Sequence, residues 1–104
     1  MSEGVMVTVA FSIKPELAGT FVAALREMFP ETRLHQGFRA IRLLSSDVDP
    51  NQFVLIEEWD EARNFQDYAQ YRVDTGDTEK LMAMASNPPQ MGVYSLSPLA
   101  AAHA

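Results

Sequence analysis

The stretch FVLIEEWDEARNFQDY, residues 53–68, changes period halfway along, and that change decides the fold. As far as Trp59 it reads as a strand, starting near Gln52. From Ala62 onward one face repeats at helical spacing, through Ala62, Phe65, Tyr68, Ala69 and Arg72. Asp60 is placed to cap this helix and Gly76 to stop it. Successive strand side chains point to opposite faces. Glu57 therefore points with Leu55 and Trp59, and Glu58 with Val54, Ile56 and Asp60. Two acids so divided cannot share a proton, which removes the geometry of a carboxylate dyad.

The favoured reading of the acid pair is structural. The neighbouring strand offers Arg39 and Arg42, expected on opposite faces, giving one ion pair per face. Such cross-strand pairs are worth roughly 0.2–1 kcal/mol. The lesser alternative is a glutamate poised as a base by burial beside Trp59.

Upstream, FRAIRLL (residues 38–44) pairs with the 52–59 strand through the turn-rich SSDVDPN (residues 45–51), a hairpin signature. VMVTVAFSI, residues 5–13, alternates as another strand. Pro15 suits a first helical turn, and Leu17, Phe21, Ala24, Leu25 and Met28 mark the apolar face that follows. Pro30 is expected to end that helix or kink it near Phe29. Downstream, residues 77–86 read as a short helix capped at Asp77 or Thr78 and broken by Pro88 and Pro89. QMGVYSLS, residues 90–97, reads as the last strand, and PLAAAHA, residues 98–104, as a mobile tail.

The order βαββαβ predicts an α+β, ferredoxin-like fold with a four-stranded antiparallel sheet. One domain spans residues 1–104, with its core at about residues 5–97. In the second strand, Phe38, Ala40, Arg42 and Leu44 alternate with Arg39, Ile41 and Leu43, so neither face is wholly polar. A sheet apolar on both faces must be covered on both. A second copy of the chain, related by two-fold symmetry, is the economical cover.

Composition narrows the function. The 104 residues carry 14 acidic and 8 basic side chains, a formal charge of −6. That balance argues against nucleic acid and against an anionic membrane surface as partners. With no cysteine, the chain has no disulfide, zinc–thiolate site, iron–sulfur cluster or cysteine nucleophile. No basic leader and no apolar run of about 18 residues is present, so a soluble, cytoplasmic protein is expected.

FVLIEEWDEARNFQDYAQYR (residues 53–72) resembles the strand–Glu–Trp–helix signature of the antibiotic biosynthesis monooxygenase family. KPELAGTFVAALREMFPETRLHQGFRAIRLLSS (residues 14–46) is similar to that family's first helix, Gly-led second strand and following loop, and NPPQMGVYSL (residues 87–96) to its closing strand. The resemblance implies a dimeric α+β barrel with a pocket in each subunit between sheet and helices. It implies oxygenation of a small aromatic phenol or quinol by dioxygen, with no flavin, metal or other cofactor. A related branch degrades haem with a His and an Asn that this chain lacks at the corresponding stretches.

Trp59 matches the family's Trp at the strand end, Tyr68 stands where several relatives present an aromatic to the pocket, and Arg72 follows one turn later. Met28 and Phe21, with Leu25, would form the apolar wall, although core packing is their more ordinary role. Arg72 could stabilise a phenolate. No catalytic base is assigned. His35 reads as a surface turn residue and His103 lies in the tail. The competing expectation is a non-catalytic dimeric module that binds a small molecule or supports a partner.

Overall fold

The computed structural model describes residues 3–97. The elements are β1 (Val5–Ser12), a 3-10 turn (Pro15–Leu17), α1 (Ala18–Thr32), β2 (Phe38–Ser45), β3 (Gln52–Trp59), α2 (Ala62–Thr75), α3 (Asp77–Met84) and β4 (Gln90–Ser95). They form the expected ferredoxin-like α+β fold, one antiparallel sheet ordered β2-β3-β1-β4. The tail at residues 98–104, with His103, lies outside the described residues. Among the described residues no helix is long and apolar enough to cross a membrane.

Strand parity sets the layers. Val5, Val7 and Phe11 on β1 and Phe53, Leu55 and Trp59 on β3 are buried toward the helices. Their core divides into two clusters. One gathers Phe11, Ile13, Phe53, Leu55 and Met84 around Phe21 and Leu25 of α1. The Phe21 ring stands 5.0 Å from that of Phe11 and 5.2 Å from that of Phe53. The other gathers Val5, Val7 and Trp59 against Phe65 and Tyr68 of α2. The opposite face of the sheet carries half-buried Met6, Thr8, Ala10, Val54 and Ile56, with Leu44 and Tyr94 exposed.

Several local expectations are corrected. The β2–β3 register shifts between Phe38 and Ala40, so Arg39 is an extra, bulged residue. The bulge puts Phe38 opposite Trp59 and Ile41 opposite Glu57, while Ala40 and Arg42 oppose Glu58 and Ile56. Both arginines therefore serve the outer side: Arg39 reaches Asp60 at 2.7 Å and Glu58 at 3.8 Å, and the helix-side ion pair expected for Arg42 or Arg39 is not formed. Asp60 is thereby a sheet fastener and not the cap of α2. Glu61 occupies the cap position, its N–H donating to Asn64 Oδ1 at 3.0 Å. α1 runs through Pro30 to Thr32 at the cost of the one bond that the proline nitrogen cannot donate to the Arg26 carbonyl. Gly76, with φ +85°, both ends α2 and precedes α3, which begins at Asp77 itself.

Gly37 fixes the approach of β2 to α2. Its φ is +81°, and a Cβ there would run into the Asn64 side chain that caps α2. Gly37→Ala is expected to destabilise the fold by about 1–2 kcal/mol from left-handed backbone strain. A chemical denaturation midpoint equal to that of the parent chain would show the turn to be unstrained.

Candidate functional site

The two core clusters do not merge. Between them lies a cavity of about 330 Å³, open on one side. Its floor is the helix-facing sheet, with Val9, Phe11, Ile41, Leu55 and Glu57, and its walls come from Met28 and Thr32 of α1 and Tyr68 and Arg72 of α2. Val73, Met82 and Met91, all half or more exposed or nearly so, stand at its edge. The volume lies near the small end of the range for ligand sites, roughly 300–1,000 Å³. The lining is mostly apolar, interrupted by Thr32, Glu57, Tyr68, Arg72 and Thr78.

Glu57 is the unusual member. It is 3% exposed and sits on the floor between Leu55 and Trp59, where strand parity demands a core residue. Trp59 Nε1 donates to its Oε1 at 2.9 Å, the one hydrogen bond its carboxyl makes among the described residues. Burial pushes the Glu57 carboxyl above its ordinary pKa, with the Trp59 hydrogen bond and the distant positive charge of Arg72 opposing the rise. Its affinity for a proton is therefore higher than that of an exposed glutamate.

The opposite wall is a hydrogen-bonded network centred on Arg72, whose side chain is 7% exposed. Its Nε donates to the Tyr68 hydroxyl at 2.9 Å, and its Nη1 to Glu31 Oε1 and Asp77 Oδ2, each at 2.8 Å. Its Nη2 donates to the Met28 carbonyl and the Thr32 hydroxyl, each at 3.2 Å. Thr32 and Tyr68 share a further bond at 2.8 Å. Burial works against the Arg72 charge, but the Tyr68 and Asp77 bonds hold its pKa above the usual arginine value. Asp77 is held below the usual carboxylate value by the Thr75 hydroxyl first and by Arg72 next. A smaller, polar cavity of about 260 Å³, lined by Glu27, Glu31, Asp77 and Lys80, meets the first across Met28, Arg72 and Leu81.

The five residues singled out from sequence divide. Tyr68, Arg72 and Met28 line the cavity. Trp59 and Phe21 are both 0% exposed and lie behind its walls, Trp59 under Glu57 and against the Tyr68 ring at 5.1 Å, Phe21 in the first core cluster. His35 is no free turn residue. Its ring packs against those of Tyr68 and Tyr71, at 4.9 and 4.7 Å. Sequence reasoning set Glu57 aside as a fastener and did not consider Thr32. The signal for Glu57 was its position on the apolar parity of β3; that for Thr32 was its place four residues after Met28 on the apolar stripe of α1. Among the described residues no cluster of acids and histidines is arranged to hold a metal ion.

A comparison with curated proteins finds no match. Solved structures do match in fold. Protein Rv0793 from Mycobacterium tuberculosis is 23% identical with a TM-score of 0.80, over 97% of this chain and 100% of that one. SnoaB from Streptomyces nogalater, described as a cofactor-independent oxygenase, is 16% identical with a TM-score of 0.79, over 96% of this chain and 100% of that one. A conserved protein from Methanosarcina mazei Go1 is 15% identical with a TM-score of 0.82, over 88% of this chain and 91% of that one. A family model described as antibiotic biosynthesis monooxygenase matches residues 4–80, which include the floor carboxylate Glu57, the Tyr68–Arg72 wall and Asp77. With most of its length and the greater part of its cavity inside that match, the chain belongs to the antibiotic biosynthesis monooxygenase family.

Proposed function

We propose that the protein is a monooxygenase that oxidises a small aromatic phenol or quinol with dioxygen inside the sheet–helix cavity, with no resident cofactor. The observation that carries this reading is a single buried carboxylate, Glu57, on the floor of a mostly apolar cavity of about 330 Å³. Glu57 takes the phenol proton. The phenolate is electron-rich enough to pass one electron to dioxygen, and recombination of the pair at a ring carbon gives a hydroperoxide. Loss of water leaves a carbonyl, so that phenol plus dioxygen becomes quinone plus water, with every electron supplied by the substrate. The protein's contribution is to remove the proton, hold the ring and exclude bulk water. Tyr68 and Arg72 face the same space and stabilise negative charge that develops on the ring away from Glu57. The test is oxygen uptake by the purified protein across a panel of phenols and quinols.

The same reading makes the protein a two-fold dimer through the outer face of the sheet. Val54 and Ile56 lie at its centre beside Met6, Thr8 and Ala10, in a face that the helices of one chain leave uncovered. Ile56→Glu is expected to convert a dimer into an 11.6 kDa monomer by sedimentation equilibrium. A parent chain that already sediments as a monomer would remove the dimer from the reading. The absence of cysteine suits a cytoplasmic setting.

A further inference from the structure

A file of rings leads from behind the cavity to the surface. Trp59, fully buried, lies 5.1 Å from the Tyr68 ring; Tyr68 lies 4.9 Å from the His35 ring; His35 lies 4.7 Å from Tyr71. Arg72 Cζ stands 5.2 Å from the Tyr68 ring centre and 5.4 Å from that of Tyr71, closing the gap between the two tyrosines on α2. Each end of the file donates to a carboxylate: Trp59 Nε1 to Glu57 Oε1 and Tyr71 Oη to Glu31 Oε2, both at 2.9 Å. The middle differs. The Tyr68 hydroxyl accepts from Arg72 Nε and bonds to the Thr32 hydroxyl, and Thr32 donates in turn to the Met28 carbonyl at 3.0 Å.

Indole and phenol are the side chains that give up one electron most readily in a chain without cysteine. A one-electron-oxidised phenol is a strong acid and is held only where a base takes its proton. Tyr68 has a cation against it and no carboxylate; Tyr71 has Glu31 in place. We propose that Trp59, Tyr68 and Tyr71 relay an oxidising equivalent from the cavity to the surface, where Tyr71 holds it as a neutral phenoxyl radical.

The relay rests on the proposed oxygenation only for its oxidant, an organic peroxyl radical formed when superoxide escapes recombination and the ring carbon of the remaining substrate radical adds a second dioxygen. That radical takes an electron from Trp59 and the proton held on Glu57, becoming a hydroperoxide. The Trp59 radical cation recovers its electron from Tyr71 by way of Tyr68, and the Tyr71 phenol proton passes to Glu31. A soluble one-electron reductant outside then restores the phenol, with the proton returned from Glu31. Met28, Met82 and Met91, which border the cavity, are the side chains that such a route spares from oxidation.

The chain has one tryptophan, so flash photoionisation at a wavelength absorbed by indole and not by phenol creates the radical at Trp59 alone. The expected result is decay of the indolyl signal matched by growth of a tyrosyl signal, at a rate independent of protein concentration. Tyr71→Phe is expected to lose the tyrosyl signal and lengthen the indolyl lifetime. Glu31→Gln, which keeps the phenol, is expected to slow the growth, and Tyr94→Phe, on the far face of the sheet, to change neither. Unchanged kinetics in Tyr71→Phe, or loss of the tyrosyl signal in Tyr94→Phe, would overturn the relay. None of these readouts requires turnover, so the relay and the oxygenase reading fail separately.

Discussion

Replacing Glu57 by Gln is expected to lower oxygenation of a phenol by about 10²- to 10⁴-fold, the range for loss of a general base, while leaving ligand binding nearly intact. Glutamine keeps the shape of the side chain and an oxygen that accepts from Trp59 Nε1, so the floor of the cavity is preserved. What it loses is the capacity to take a proton. In the parent chain the rate is expected to rise with pH through the raised Glu57 pKa, because only the ionised carboxylate is a base. The sign for stability is opposite. A carboxyl whose folded pKa lies above its unfolded value contributes fully below the unfolded pKa, and that contribution is lost as pH rises through the folded one. Glu57→Gln is therefore expected to be more stable than the parent at neutral pH and to lack this part of its pH dependence. An inactive and less stable variant would mean that the glutamate is structural. An active variant would mean that the base lies elsewhere.

Arg72→Ala is expected to destabilise the fold by about 2–4 kcal/mol, since truncating one partner of a buried charged network costs several kcal/mol. The lower part of the range for such losses applies because the acids left behind can rehydrate: the Glu31 side chain is 50% exposed and that of Asp77 27%. The loss falls on the bonds to Thr32 and the Met28 carbonyl, which tie α1 to α2, and on the bond to Tyr68 within α2. At about 4–8 °C per kcal/mol for a domain of this size, the melting temperature drops by roughly 8–32 °C. Arg72→Lys is not expected to rescue it, because one ammonium cannot serve two hydroxyls, two carboxylates and a carbonyl in this planar arrangement. A thermal melt within a few degrees of the parent would show the network to be ornamental to stability.

The fold was legible from residues 53–68 outward because strand and helix periods differ and the turn residues fall between them. The Arg39 bulge was not legible: alternation counts one residue per position, and nothing in FRAIRLL marks which residue is extra. The cap of α2 moved by one residue because Asp60 found a better partner in Arg39, a contact between segments 21 residues apart. At the site, helical spacing correctly put Tyr68 and Arg72 on one face of α2, but spacing gives no depth. It could not say that Trp59 would be sealed behind Glu57, or that α1 would bring Thr32 and Glu31 onto Arg72. The parity that ruled out an acid dyad was also the clue to Glu57, since an acid on the inward face of a strand has to be buried or used.

Labelled dioxygen tests the central claim most directly. Purified protein is given ¹⁸O₂ and a panel of phenols and quinols, with Glu57→Gln in parallel. The expected result is one labelled oxygen atom in a quinone product and the other in water, from the parent chain and not from the variant. No labelled product from any member of the panel, or equal labelling by the parent and by Glu57→Gln, would contradict it.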